Sequence, residues 1–113
     1  MPVNFLCILL QFDISENNNR SSKGEIPYLM DIQSGSVSIL GTRIVVPIRK
    51  AANFIDKTIS KIHISIEIKN IEYTAFISEM AAVPTGMIGS TVTNGAIKRT
   101  EIIASIDLLF TGF

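Results

Sequence analysis

Few residues of this 113-residue sequence could do acid–base or nucleophilic chemistry. His63 is the only histidine and so the only candidate imidazole base. It alternates with isoleucines in the run KIHISIEIK at positions 61–69, which favours a residue on the polar surface of a strand over a catalytic one. Cys7, the only cysteine, lies in an apolar run, whereas a reactive thiolate needs an electropositive setting.

Recognised catalytic and metal-binding motifs are missing from the sequence. It has no G-x-S-x-G, no glycine-rich phosphate loop, no H-E-x-x-H and no cysteine pair. One histidine and one cysteine cannot build a structural zinc site. The candidate carboxylates fall on different predicted elements, where solvated charge is the expected role: Asp31, Glu67, Glu72, Glu79, Glu101 and Asp107. We therefore expect no catalytic constellation, no metal and no cofactor.

Composition limits the class of protein further. The chain has the length of one domain, and 47% hydrophobic residues are enough for a core. Ten Lys plus Arg balance ten Asp plus Glu, and there is no basic block, which argues against direct binding of nucleic acid. The longest apolar run, at positions 5–10, is too short to cross a membrane. A single free cysteine suits a reducing cytoplasm, where we expect the protein to act.

The predicted secondary structure, which must hold the residues of any functional site in place, consists mainly of strands. Isoleucine is the commonest residue, and period-two alternation is clearest at positions 61–69. Lys69 and Asn70 form a predicted two-residue turn, and Pro47 belongs at a sheet edge or a bulge. Strands are predicted at 11–15, 28–34, 43–48, 61–69, 71–77 and 80–83. Loops are predicted at 16–24 and 85–95, with a brief strand pairing left open at Met87 and Ile88. Residues 1–10 are predicted to be either a strand or an unstructured extension.

From about Gly95 the apolar period changes to that of a helix. Asn94 is a plausible N-cap and Gly112 a plausible end. One predicted face carries an apolar stripe that we expect to pack on the sheet: Ile102, Ile103, Ile106, Leu109 and Phe110. These elements predict a mostly β (α+β) domain of short antiparallel strands followed by one C-terminal helix.

Two features are unusual for a plain globular domain. The chain ends in LLFTGF at positions 108–113, although chain ends are usually polar, so this end needs a partner or a core. The segment Met80, Ala81, Ala82 and Val83 consists largely of small residues, which suit a dimer seam or equally a tight core.

Five stretches of the sequence resemble the CcdB family of toxins from toxin–antitoxin modules. They are QFDIS and IPYLMDIQS at 11–15 and 26–34, TRIVVPI at 42–48, MAAVPTGMIG at 80–89, and IIASIDLLFTGF at 102–113. The resemblance covers residues 11–113. It implies an SH3-like antiparallel β-barrel with a C-terminal helix, assembled as a homodimer. It also implies a plasmid-maintenance toxin, not an enzyme, that binds the A subunit of DNA gyrase, traps the enzyme on cleaved DNA and is neutralised by a CcdA-like antitoxin.

The resemblance also implies site residues. The gyrase-binding positions correspond to Ser36, Val37, Asp107, Phe110, Thr111, Gly112 and Phe113, and the dimer interface to Met80, Ala81, Ala82 and Val83. This chain has Thr111 where toxic members carry Trp, and Phe113 where the family usually ends in Ile. The loop at Ser36 has lost an acid and a large apolar residue. Each departure should weaken or reshape the gyrase contact.

Two alternatives to a gyrase poison stay open. The first is a decayed toxin that binds antitoxin without poisoning gyrase. The second is a ribonuclease toxin of the MazF or Kid type on the same fold, for which Arg43, Asp31 and His63 are the only residues to test; the neutral charge disfavours it.

Residues 1–10 lie outside the resemblance and are expected to be an N-terminal extension. The Leu10 codon is a candidate bacterial start, and we hypothesise that MPVNFLCIL is a start-site artefact.

Overall fold

The computed structural model describes residues 10–33, 41–50 and 62–112, which form an antiparallel sheet and one helix. The seven strands are β1 (Asp13–Asn17), β2 (Tyr28–Asp31), β3 (Thr42–Lys50), β4 (His63–Ile68), β5 (Ile71–Phe76), β6 (Ala81–Pro84) and β7 (Ile88–Asn94). Short 3-10 turns lie at Ile77–Glu79, Thr85–Met87 and Ala96–Lys98, and the last leads into helix α1 (Arg99–Thr111). Within the described part of the chain, no helix is long and apolar enough to span a membrane.

The sheet curls into a half-barrel in the order β4-β5-β3-β2-β1-β7, and β6 also pairs with β3. The predicted class, mostly β with a C-terminal helix, is confirmed. The nine-residue β3 is central because β2 pairs along one side, while β6 and then β5 pair along the other. Pro47 lies between the last residue that pairs with β6, Val45, and the first that pairs with β5, Ile48. A proline is tolerated there because its missing N–H falls where β3 changes neighbours.

The β4–β5 hairpin is as predicted. Ile64, Ile66 and Ile68 are buried in the core, while Ser65 and Glu67 are exposed. Ile68 pairs with Ile71 across the turn at Lys69 and Asn70, whose φ angles are +53° and +67°. Positive φ at both central residues matches the twist of the two strands, and Asn tolerates it best among residues with a side chain.

Substitution of Asn70 should therefore test whether the positive φ at this position makes the choice of residue important for stability. We expect Asn70→Val to lower the free energy of unfolding by about 1–2 kcal/mol, because a β-branched residue resists positive φ. Asn70→Gly should be neutral or slightly stabilising. Chemical denaturation of the two variants measures the difference, and equal stabilities would contradict this account of the turn.

Several predicted strand boundaries differ from the structure by a few residues, and one predicted loop contains a strand. The first strand begins at Asp13 and not at 11, because Phe12 has a φ of +71° that interrupts an extended backbone. The second strand ends at Asp31 and not at 34. The segment 85–95, predicted as a loop, contains β7, which pairs with β1 through an irregular register. Its glycines suggested a loop, but the Thr and Val residues of STVTN suit a strand once β1 is beside it.

The predicted apolar stripe of α1 is only partly buried. Ile102 is fully buried and Ile106 packs against the core, but Ile103, Leu109 and Phe110 are exposed. Lys98 and not Asn94 is the N-cap of α1; Asn94 instead accepts a hydrogen bond from the Ala96 N–H at 2.8 Å. The helix ends at Gly112 as predicted. The sheet therefore buries only one narrow side of α1 and leaves apolar side chains on the other.

Candidate functional site

The last turn of α1 presents an apolar surface. The Phe110 side chain is 70% exposed and that of Leu109 is 37% exposed. Gly112 has a φ of +79°, and its N–H donates to the Leu108 carbonyl at 3.0 Å, so the chain turns away from the helix axis at this point. An exposed aromatic ring at an ordered helix end is typical of a residue that a partner buries.

Four of the seven predicted gyrase-binding residues lie together on this surface. Asp107, Phe110, Thr111 and Gly112 are all exposed within the last two turns. The Thr111 hydroxyl donates to the Asp107 carbonyl at 2.5 Å, so this side chain is turned back onto its own helix. The other three predicted residues, Ser36, Val37 and Phe113, lie outside the described residues.

The predicted dimer segment forms β6 and the residue before it. Ala81 and Ala82 are exposed, while Met80 and Val83 are half-buried. β6 pairs with β3 along one edge, from Val45 back to Thr42, and no strand pairs with its other edge in the described ranges 10–33, 41–50 and 62–112. Exposed alanines on a strand edge do not fit a tight core, which was the alternative explanation for the small residues.

The residues considered for a ribonuclease site serve the fold instead. Arg43 and Asp31 are 0% and 2% exposed. The Arg43 Nε–Asp31 Oδ2 distance is 2.7 Å and the Nη2–Oδ1 distance is 2.9 Å, which is a two-pronged buried ion pair. Nη2 also donates to the Gln33 carbonyl. A guanidinium buried in this way cannot reach a phosphate of a bound RNA.

Sequence reasoning missed this ion pair because its members are twelve positions apart. Asp31 ends β2, Arg43 is the second residue of β3, and the antiparallel pairing of these strands brings the side chains together. Residues 34–40 between them lie outside the described residues. The signal that was available is a lone Arg at the start of an otherwise apolar strand, since such a charge needs a partner.

His63 is half-buried at the start of β4. Its ring packs on Phe76 with a centroid distance of 4.3 Å, and Nε2 lies 3.3 Å from the Ser78 hydroxyl. Nδ1 is buried without a hydrogen-bond partner in the described part of the chain. Burial lowers the pKa of His63 below its usual 6.5; Glu79 opposes this shift and Arg49 adds to it. The expectation of a simple surface histidine therefore needs correction, because its ring packs on Phe76 and its Nδ1 is buried.

This environment predicts a pH dependence of stability. The unfolded chain takes up a proton on His63 near pH 6.5, whereas the folded protein does so only at lower pH. The contribution of neutral His63 is thus present above pH 6.5 and is lost as the pH falls through the lowered pKa. We expect the free energy of unfolding to fall more between pH 7.5 and 5.5 in the wild type than in His63→Leu. Denaturation at both pH values tests this, and parallel slopes would contradict it.

Among the described residues, no group of three or more His, Cys, Asp or Glu side chains could hold a metal ion. The described residues combine a curled sheet, a helix with an exposed apolar end and an exposed edge strand of small residues.

Residues 11–112 match the sequence profile of the family described as CcdB protein, so the chain belongs to the CcdB family. It is a toxin of the toxin–antitoxin class. Its fold is also similar to a solved structure described as the crystal structure of an Mtb toxin, with a TM-score of 0.67. That comparison covers 86% of this chain and 99% of the other at 12% identity, and it supports the fold alone.

Proposed function

We propose that this toxin binds the A subunit of DNA gyrase through the end of α1 and traps the enzyme on cleaved DNA. The observation that carries the proposal is the exposed Phe110 ring on an ordered helix turn, next to Leu109 and Gly112. A large aromatic side chain that loses its water contact on binding is a typical hot spot. The family resemblance adds Ser36, Val37 and Phe113 to the same contact.

Two partners complete the proposal. The exposed edge of β6, with Ala81 and Ala82, would meet a second copy of the chain in a homodimer, because small side chains permit close approach. A CcdA-like antitoxin would bind the dimer and remove it from gyrase. Membership of the family supports both partners, and the open strand edge supports the first.

The toxin would act by binding in the cytoplasm and not by catalysis. The mutual burial of Arg43 and Asp31 in an ion pair supports this proposal, because it shields both groups from a substrate, and His63 packs on Phe76. A ribonuclease needs groups that touch its substrate.

A gyrase cleavage assay tests the proposal. The purified protein is mixed with DNA gyrase, supercoiled plasmid and ATP, and the reaction is denatured to reveal linear DNA. We expect linear DNA with the full chain and none after deletion of Gly112 and Phe113. A folded full chain that yields no linear DNA contradicts the proposal, and RNA breakdown in a parallel tube would support the ribonuclease instead.

One observation favours a second candidate, a decayed toxin that binds antitoxin without poisoning gyrase. Thr111 stands where toxic members carry Trp, and its hydroxyl is bonded to its own helix rather than offered to a partner. If this candidate is correct, the wild type should yield no linear DNA and Thr111→Trp should restore it, because an aromatic ring there enlarges the surface around Phe110.

A further inference from the structure

The curled sheet is open between its two edge strands, β4 and β7. Within residues 10–33, 41–50 and 62–112, β4 pairs only with β5, and β7 only with β1. A cleft of about 730 Å³ lies in this opening and is lined by both strands and by the turn that precedes α1. It lies at the start of α1, whereas the proposed gyrase contact lies at its end.

The backbone of β4 can accept another strand at this opening. In a hairpin with a two-residue turn, the residues that flank the turn, Ile68 and Ile71, are a hydrogen-bonded pair. Since pairing alternates along an antiparallel strand, the N–H and C=O groups of Ile64, Ile66 and Ile68 point towards β5. Those of Ser65 and Glu67 point away from β5 and towards the cleft, as an edge that an extended peptide could pair with.

The side chains around the cleft suit an amphipathic strand. Its lining includes buried apolar residues, Ile14 and Ile66, and exposed polar residues, Glu67, Glu72 and Thr93. Successive side chains of an extended peptide point to opposite faces, so apolar residues on one face could contact the isoleucines while polar residues on the other contact the polar lining.

The charges around the cleft favour basic side chains in a peptide that binds there as an extra strand. The charged lining residues are two carboxylates, Glu67 and Glu72, and one ammonium group, Lys98, which already pairs with Glu101 at 3.7 Å. The Ser65 hydroxyl donates to Glu72 and holds that carboxylate in place. We propose that the cleft binds an extended peptide segment with alternating apolar and basic side chains by strand addition to β4.

Other occupants fit less well. A second copy of the chain that paired its own β4 with this edge would bring two Glu67 carboxylates towards each other. A nucleic acid would place phosphates beside the same carboxylates. The proposal goes beyond gyrase binding and does not depend on it, because the helix end is not part of the cleft.

The test uses two acetylated and amidated hexapeptides, one alternating Lys and Val and one alternating Glu and Val. Each is titrated into the full ¹⁵N-labelled protein at constant salt. We expect the Lys–Val peptide to shift the amide signals of Ser65, Glu67 and Thr93 in a saturable way, and the Glu–Val peptide to leave them unchanged. A Lys–Val peptide with every residue N-methylated should bind at least about tenfold more weakly, because neither of its edges can donate hydrogen bonds to β4.

Variants of the protein test how much the carboxylate charge contributes to peptide binding, separately from backbone hydrogen bonding. Glu67→Gln should weaken the Lys–Val peptide about two- to fivefold, and the exposed Glu25→Gln, which lies outside the cleft, should have no effect. Equal binding of the Lys–Val and Glu–Val peptides, or no loss on N-methylation, would overturn the proposal. Concentration-dependent shifts of the same amides without peptide would assign the cleft to a second copy, and shifts with an RNA oligonucleotide would assign it to nucleic acid; either result also overturns it.

Discussion

Arg43→Met should lower the free energy of unfolding by about 3–5 kcal/mol, the largest effect expected of any single substitution here. Methionine fills much of the volume, but it leaves the Asp31 carboxylate buried without its cation. Both members of the pair are at most 2% exposed, so water cannot replace the lost partner. Chemical denaturation with a folded-state check by near-ultraviolet circular dichroism measures the loss.

A second ion pair provides a matched control. Arg49 Nη1 and Glu79 Oε1 are also 2.7 Å apart, but these side chains are 25% and 46% exposed. Arg49→Met should therefore cost less than about 1 kcal/mol. The double variant Asp31→Leu/Arg43→Met should recover part of the stability, since no uncompensated charge stays buried. Similar losses for Arg43→Met and Arg49→Met would show that burial is not what makes the first pair important.

Phe110→Ala should weaken gyrase binding by about 2 kcal/mol or more, which is at least roughly 30-fold in affinity. The ring is 70% exposed in the free protein, so its removal should change the free energy of unfolding by less than about 0.5 kcal/mol. Alanine is also the better helix former. Titration of the variant in the gyrase cleavage assay, beside thermal unfolding, measures both quantities.

The control for Phe110 is another exposed apolar residue away from the helix end. Ile71 on β5 is 47% exposed, and Ile71→Thr keeps a β-branched side chain. This variant should trap as much cleaved DNA as the wild type. If Phe110→Ala retains full activity, or if both variants lose it equally, the end of α1 is not the gyrase contact.

Much of the candidate site could be predicted because its parts are local. The C-terminal turn depends on Gly112 and on the helical period that precedes it, all within one short segment. The exposure of Phe110 could not be predicted in the same way. Helical periodicity predicts Phe110 and Ile102 on one apolar face, but α1 packs against the core only through the side with Ile102 and Ile106.

The sequence by itself determined the β4–β5 hairpin, the end of α1 and the family of the protein. The hairpin and the helix end depend on neighbouring residues, through period-two alternation and turn residues that accept positive φ. The family is identified from motifs in a fixed order along the chain. None of these predictions requires knowledge of contacts between distant residues.

Only the tertiary structure decided which distant residues meet. β7 forms because β1 lies beside it, with Asp13 opposite Asn94. The charge of Arg43 is compensated because the pairing of β2 and β3 brings Asp31 to it. The cleft between β4 and β7 exists because the sheet curls without pairing its two edges in the described chain. Each contact stabilises the fold only once the loop between its two residues has been closed, which costs conformational entropy. Local sequence patterns do not show which distant residues are brought together in this way.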